Sequence, residues 1–174
     1  MKTGIEKFKN IVTNETCDLL IDHIENNMDK AADKKYVNNI NALNNVICKQ
    51  LVLQQNSELD DQVYKCVSKA LNWYSEKYEN FSATGDSGYQ LRKITGATRL
   101  HVDSIHDGGK LRTVSVILGL NSNYEDGEFH FPFQDFSTFV KRGEAIVFPV
   151  YFCFPHYVDA PVGNRYTINT WATE

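Results

Sequence analysis

The chain has no apolar run approaching the roughly 20 residues needed to cross a bilayer. Its opening, Met1-Lys2-Thr3-Gly4-Ile5-Glu6-Lys7, lacks the apolar stretch of a signal peptide. Those two absences predict a soluble, cytoplasmic protein. Cysteine is scarce: Cys17, Cys48, Cys66 and Cys153 are scattered, and no Cys-x-x-Cys pair occurs. That excludes a zinc ribbon or redox dithiol and predicts reduced thiols. Long basic blocks are missing too. Net charge is −4, and Lys34-Lys35 and Lys141-Arg142 are isolated doublets, so no dedicated nucleic-acid surface is expected. Internal repeats and low-complexity segments are absent.

What remains is ordinary globular composition: 42% hydrophobic and 23% charged over 174 residues, enough for one domain with a real core. The style of the sequence changes near residue 85. Before it, Thr13 or Asn14 caps a helix predicted to run to about Met28, with Leu19, Leu20, Ile24 and Met28 at helical spacing. A second helix is predicted from Leu59 to Tyr78, burying Val63, Cys66, Val67, Ala70, Leu71 and Trp73. Ile47 to Leu53 reads as a strand between them, and the Asn-rich stretch Val37 to Asn45 as a loop.

After residue 85 short strands alternate with Gly, Asn, Asp and Pro turns. The predicted strands are Tyr89–Ile94, Arg99–Asp103, Leu111–Leu120, Glu128–Phe131, Glu144–Phe148 and Arg165–Trp171. Regular short strands point to a jelly-roll, with the helices of residues 1–85 covering one outer face of a core formed by 86–174. The whole of 1–174 reads as a single domain.

One pattern carries chemistry. His101-Val102-Asp103 places two donors on the same side of a strand, because residues two apart share a face. Pro155-His156 supplies a second imidazole, and Arg165 opens Arg165-Tyr166-Thr167-Ile168-Asn169-Thr170-Trp171. Two imidazoles and one carboxylate hold Fe(II) on one face and leave the other positions open. An arginine further along binds the distal carboxylate of a dicarboxylic cosubstrate with two parallel hydrogen bonds. A lone His-x-Asp arises by chance and a lone histidine is commonly a core residue; the weight comes from all four groups in order. Arg165, Thr167, Asn169 and Trp171 alternate onto one wall. There, Arg165 meets either an anionic cosubstrate or a protein carboxylate.

These residues resemble the 2-oxoglutarate/Fe(II) dioxygenases, specifically the prolyl 4-hydroxylase-like branch. The likeness runs from about Tyr89 to Trp171. It is carried by His101-Val102-Asp103, Leu120-Asn121, Asp126-Gly127-Glu128-Phe129-His130-Phe131, Val147-Phe148-Pro149, Pro155-His156 and the Arg165 strand. The resemblance implies a double-stranded β-helix, Fe(II) held by His101, Asp103 and His156, and 2-oxoglutarate on Arg165, with ascorbate as a reductant. Many relatives place a cosubstrate-binding tyrosine where this chain has Ile94 and Gly119. Thr113, Ser115, Tyr89 and Thr167 are the substitute hydroxyls, with Asn169 and Trp171 completing the cosubstrate wall.

His106 and His130 compete with His156 as third ligand. His106 is predicted in a loop on the opposite face and His130 at the pocket mouth; His23 is a surface or packing residue. The activity implied is C–H hydroxylation with release of succinate and CO2, on a peptidyl proline. A small molecule or nucleobase is an alternative substrate. A non-catalytic metal- or ligand-binding module, and a cupin-like metalloenzyme richer in histidine, are alternatives of another class. The substrate groove is expected around Val37–Leu53 and Ser104–Lys110.

Overall fold

The computed structural model describes residues 4–35, 46–104 and 110–174, together with the backbone of 106–107. In chain order come strand β1 (Glu6–Phe8), helix α1 (Asn14–Asn26), strands β2 (Ala32–Lys35) and β3 (Val46–Val52), and helix α2 (Glu58–Lys77). Then follow β4 (Gly85–Asp86), β5 (Gln90–Ile94), β6 (Thr98–His101), β7 (His106–Asp107) and β8 (Lys110–Gly119). The last part holds β9 (Glu125–Asp126), β10 (Phe129–Phe131), β11 (Phe136–Thr138), β12 (Ala145–Pro149), β13 (His156–Val158), β14 (Pro161–Val162) and β15 (Arg165–Thr173). The predicted loop over Val37–Asn45 lies outside the described residues.

Nine strands form the major sheet, ordered β1-β12-β8-β15-β5-β3-β2, with β4 added to β15 and β7 to β8. A minor sheet runs β11-β10-β13-β6. Neighbouring strands in both are antiparallel. The expected mainly-β jelly-roll with helices on one face is what the chain forms.

Strand alternation builds two separate cores. Tyr166, Ile168 and Ala172 of β15, Val114, Val116 and Leu118 of β8, and Ala145 and Val147 of β12 pack with Cys17, Leu20, Ile24, Val63, Val67 and Ala70 of the helices. The intervening residues turn inward. Ile117, Ile146 and Phe148 pack there against Phe129, Phe131 and Val158 of the minor sheet. The helices therefore rest on the outer face of the major sheet, and the site is left to the space between the sheets.

Local chemistry fixes the helix ends. The Thr13 hydroxyl accepts from Thr16 N at 3.2 Å, and the Ser57 hydroxyl accepts from Asp60 N at 3.1 Å. Glu58, Asp60 and Asp61 occupy the first turn of α2, where the helix dipole favours them. The first helix stops at Asn26 rather than Met28. The Asn27 side-chain amide donates back to the His23 carbonyl at 2.8 Å, and a 3₁₀ turn over Met28–Lys30 follows.

Two assignments of helix faces need correction. Leu19 is 52% exposed, and Cys17 joins Leu20 and Ile24 on the buried side. In α2 the buried line is Val63, Val67, Ala70 and Tyr74, whereas Trp73 is 36% exposed. One residue is a 100° rotation, and the Tyr74 hydroxyl has an inward target, donating to the Gly4 carbonyl at 2.9 Å. Cys66 and Leu71 pack only partly against this core. The first half also adds edge strands that lack any apolar pattern: β2 is Ala-Asp-Lys-Lys and exposed throughout.

Leu20→Ala should cost about 2–5 kcal/mol by cavity formation, whereas Leu19→Ala should stay within about 0.5 kcal/mol. Chemical denaturation of the two variants checks the face assignment; equal losses would contradict it.

Candidate metal centre and its pocket

The centre forms where β6 and β13 pair, with His101 directly opposite His156. The two imidazoles lie 4.4 Å apart between ring centroids. Asp103 sits two residues beyond the end of β6, outside the strand predicted to contain it, yet it still turns to the same point. His101 Nε2 is 3.5 Å from Asp103 Oδ1, and His156 Nε2 is 3.8 Å from Oδ2. One ligand atom from each of the three residues falls within 4.8 Å of the others.

Surrounding groups aim these atoms. His101 Nδ1 donates to the Arg99 carbonyl at 2.7 Å, which leaves Nε2 as the ligand nitrogen. His156 Nδ1 lies 3.3 Å from the Phe154 carbonyl, and its ring is held against Phe131 and Phe148. The Ser115 hydroxyl donates to Asp103 Oδ2 at 2.6 Å. Across the pairing, Val158 N donates to the Thr98 hydroxyl at 2.8 Å, where the ladder shifts register.

Burial would raise the Asp103 carboxyl, but its hydrogen bond with His101, the His156 charge and Ser115 together hold it well below the usual carboxylate range. Burial opposes protonation of His101, yet Asp103 and the Arg99 carbonyl outweigh it, so His101 moves up from its ordinary value. His156, more deeply buried, moves down because desolvation outweighs the attraction of Asp103. Unequal burial beside one carboxylate thus shifts the two imidazoles in opposite directions.

A cavity of about 450 Å³ opens beside this cluster. Arg165, Thr167, Asn169 and Trp171 all line it, as their alternation along β15 requires. Thr167 donates to the Asn169 side-chain oxygen at 2.8 Å. Arg165 is 2% exposed, and its Nε and Nη2 are buried without a hydrogen-bond partner. Its guanidinium lies 4.8 Å over the Phe129 ring. Burial pushes Arg165 down from its ordinary value, and the neighbouring Tyr124 phenol opposes that. Among the described residues no protein carboxylate pairs with it, so the protein-carboxylate alternative for Arg165 is not what the structure contains.

Other predicted residues lie elsewhere. Ser115 sits behind Asp103 rather than against the cavity. The Thr113 hydroxyl donates to the Ala172 carbonyl at 3.3 Å, and Tyr89 packs on the helix side with its hydroxyl on Asp86 at 2.9 Å. Neither lines the cavity. His130 also lies outside it, on the far face of the minor sheet, 2.6 Å from Asp159 and stacked on Tyr157. His106 is in β7, opposite Leu111, and only its backbone is described.

Tyr124 is a residue that no sequence pattern singles out: it follows the Leu120-Asn121 pair but meets Arg165 only through the fold. Gly119, where relatives carry a tyrosine, has a steric cause. A Cβ there would stand 2.4 Å from the Lys141 carbonyl oxygen.

Both absent groups fit this geometry. The nitrogen and carboxylate donors suit Fe(II) with open positions. The orphaned donors of Arg165, on the same cavity wall, suit the distal carboxylate of 2-oxoglutarate. A jelly-roll with this triad beside an arginine-walled pocket defines a 2-oxoglutarate- and Fe(II)-dependent oxygenase.

Comparison with known proteins agrees. The family profile described as the 2OG-Fe(II) oxygenase superfamily matches residues 89–173, and that strand-rich region belongs to the superfamily. No curated protein sequence matches it. Its fold is similar to the viral collagen prolyl hydroxylase of Paramecium bursaria Chlorella virus-1 in complex with 2-oxoglutarate. That match has a TM-score of 0.75 and 16% identity, covering 98% of this chain and 96% of that one. A Trichoplax adhaerens prolyl hydroxylase, in complex with a hypoxia inducible factor peptide fragment, matches with TM-score 0.75 and 16% identity. The match covers 99% of this chain and 84% of that one. A Pseudomonas putida prolyl-4-hydroxylase gives TM-score 0.72 and 15% identity, covering 98% and 92%. The structural likeness includes the helical first half, which the sequence motifs did not reach.

Ligation requires neutral imidazoles. Since His101 lies above its ordinary 6.5 and His156 below it, Fe(II) affinity should begin to fall while pH is still above 6.5. His156 should add to the loss only at lower pH. Anaerobic Fe(II) titrations across pH check this, and an affinity flat down to pH 6.5 would contradict it. Ser115→Ala, which frees Asp103 to rotate, should weaken Fe(II) binding by about tenfold or more in the same titration.

Proposed function

We propose that this oxygenase hydroxylates a prolyl residue within a peptide. In this reading Fe(II) is held by His101, Asp103 and His156, and 2-oxoglutarate by Arg165. The bound metal and cosubstrate supply the oxidation of a C–H bond by O2, releasing succinate and CO2, with ascorbate as reductant. The protein's own part is orientation and exclusion of water. Ser115 fixes the carboxylate ligand; the Arg99 and Phe154 carbonyls fix the imidazoles. Thr167 and Asn169 brace the cosubstrate wall, while Ile117, Phe129 and Val158 keep the inner pocket apolar.

The observation that carries the reading is the pair of buried, partnerless donors on Arg165 in the same cavity as the His-Asp-His cluster. A peptide substrate is supported by fold neighbours that are a collagen prolyl hydroxylase and a prolyl hydroxylase complexed with a peptide fragment. Ile47 and Cys48 of β3 line the cavity and give an extended peptide one wall. No helix among the described residues is long and apolar enough to cross a membrane. A cytoplasmic setting belongs to the same reading, supported by four free thiols.

Anaerobic addition of Fe(II) and 2-oxoglutarate should produce a visible metal-to-ligand charge-transfer band. The band should vanish in His156→Ala, and in Arg165→Ala it should need about 100-fold more 2-oxoglutarate, as for loss of a buried charged pair. Proline-peptide-dependent succinate release then tests the substrate. A folded, iron-loaded protein without the band would overturn the oxygenase reading.

A further inference from the structure

The charges lining the cavity are unequal. Arg92, Arg112, Arg165, Lys34 and Lys35 line it, and the sole carboxylate among its described lining residues is Asp103, a proposed metal ligand. The chain as a whole carries −4, so the cavity lining is opposite in sign to the net charge of the protein. Metal and cosubstrate do not use up this excess. The two charges of Fe(II) and the one of Arg165 balance Asp103 and the two carboxylates of 2-oxoglutarate. Arg92, Lys34 and Lys35 are left over.

Arg92 is the best defined of these. It projects from β5 opposite Thr167, and its guanidinium is held by neutral acceptors: Nε donates to the Gln50 side-chain oxygen at 3.1 Å, Nη2 to that of Gln90 at 2.6 Å. Two amides fix its direction without cancelling its charge. No ion pair to Arg92 or Lys34 occurs among the described residues. The acidic residue of β2, Asp33, pairs instead with Lys49 at 3.5 Å. Trp171 carries the arrangement toward the metal side, with Arg112 3.9 Å and Arg92 6.0 Å from its ring centroid. Arg92 lines the same cavity as His101 and Arg165, close enough for its charge to act on both.

We propose that Arg92, with Lys34 and Lys35 at the rim, receives a side-chain carboxylate of the substrate, so that the enzyme selects an acidic peptide. The inference rests on the peptide reading above for the substrate's backbone, but not for its charge. A nucleic acid is the poorer match, because these cations are gathered in one cavity of an acidic protein rather than spread along a phosphate track.

The test uses the anaerobic Fe(II)–2-oxoglutarate enzyme and calorimetric titration with end-capped peptides. One carries glutamates beside a proline, a second has glutamine at those places, and a third keeps the glutamates but replaces proline by alanine. The glutamate peptide should bind about tenfold more tightly than the glutamine peptide at low salt, a gap of the size expected for one partly buried charge pair. Arg92→Gln and Lys34→Gln should each shrink that gap while leaving the glutamine peptide's affinity alone. The alanine peptide binds as tightly as the glutamate peptide if the carboxylate site stands and the proline reading fails.

Equal affinity for the glutamate and glutamine peptides overturns the proposal. So does an Arg92→Gln protein whose 2-oxoglutarate titration weakens while its peptide preference persists, since Arg92 would then serve the cosubstrate. Displacement of the glutamate peptide by a single-stranded oligonucleotide at lower concentration than by the peptide itself would also overturn it, in favour of a phosphate-bearing substrate.

Discussion

A buried arginine with no acidic partner among the described residues constrains this molecule more than any other feature. Removing a guanidinium from water costs several kcal/mol even after the surroundings relax. The chain meets that cost only in part, with the Phe129 ring beneath Arg165 and the Tyr124 phenol beside it. A protein carboxylate would solve the problem outright and would also close the site. With no such carboxylate among the described residues, two donors of Arg165 stay open to an anion from outside, at a group only 2% exposed where water screens the attraction weakly.

Holding such a group steady falls to the other face of the same strand. β15 is buried along its whole length, between β8 and β5. Its inward residues line the cavity and its outward ones fill the helix-side core. Tyr166, immediately after Arg165, sends its hydroxyl to Glu25 of α1 at 2.5 Å, and Glu25 also pairs with Lys93 of β5 at 2.9 Å. The first helix thereby ties together the two strands that carry Arg165 and Arg92. The helices do not touch the chemistry, but they set the register in which the pocket residues meet.

Period-two alternation made the most important part of this legible in the sequence. The wall Arg165, Thr167, Asn169, Trp171 follows from strand geometry alone, and His101 with Asp103 nearly does, although Asp103 turns inward from beyond the strand end. The sequence is less informative where contacts are remote or patterns short. Tyr124 reaches Arg165 only because the turn after Asn121 folds back, and β13 is too brief to show a period. Thr113 and Ser115 share a strand face, but a common face does not specify a common partner: one hydroxyl finds a backbone carbonyl, the other Asp103. Edge strand β2 shows no hydrophobic signal, so the cations it brings to the cavity could not be assigned to a site beforehand. Helix phase failed at Leu19 and Trp73 because an apolar side chain at a boundary position is decided by what its neighbours can reach.

The metal cluster obeys the same economy of charge as the arginine. Asp103 is a single anion facing two imidazoles, with Ser115 donating to one of its oxygens. Of the two imidazoles, the more exposed His101 is the one whose protonation Asp103 favours. Burial among Phe131 and Phe148 opposes protonation of His156. A proton on His101 and a metal ion would therefore compete for the same carboxylate. Metal loading at these residues would then exchange one cation for another, with the hydrogen bonds to Arg99, Phe154 and Ser115 aiming the three side chains.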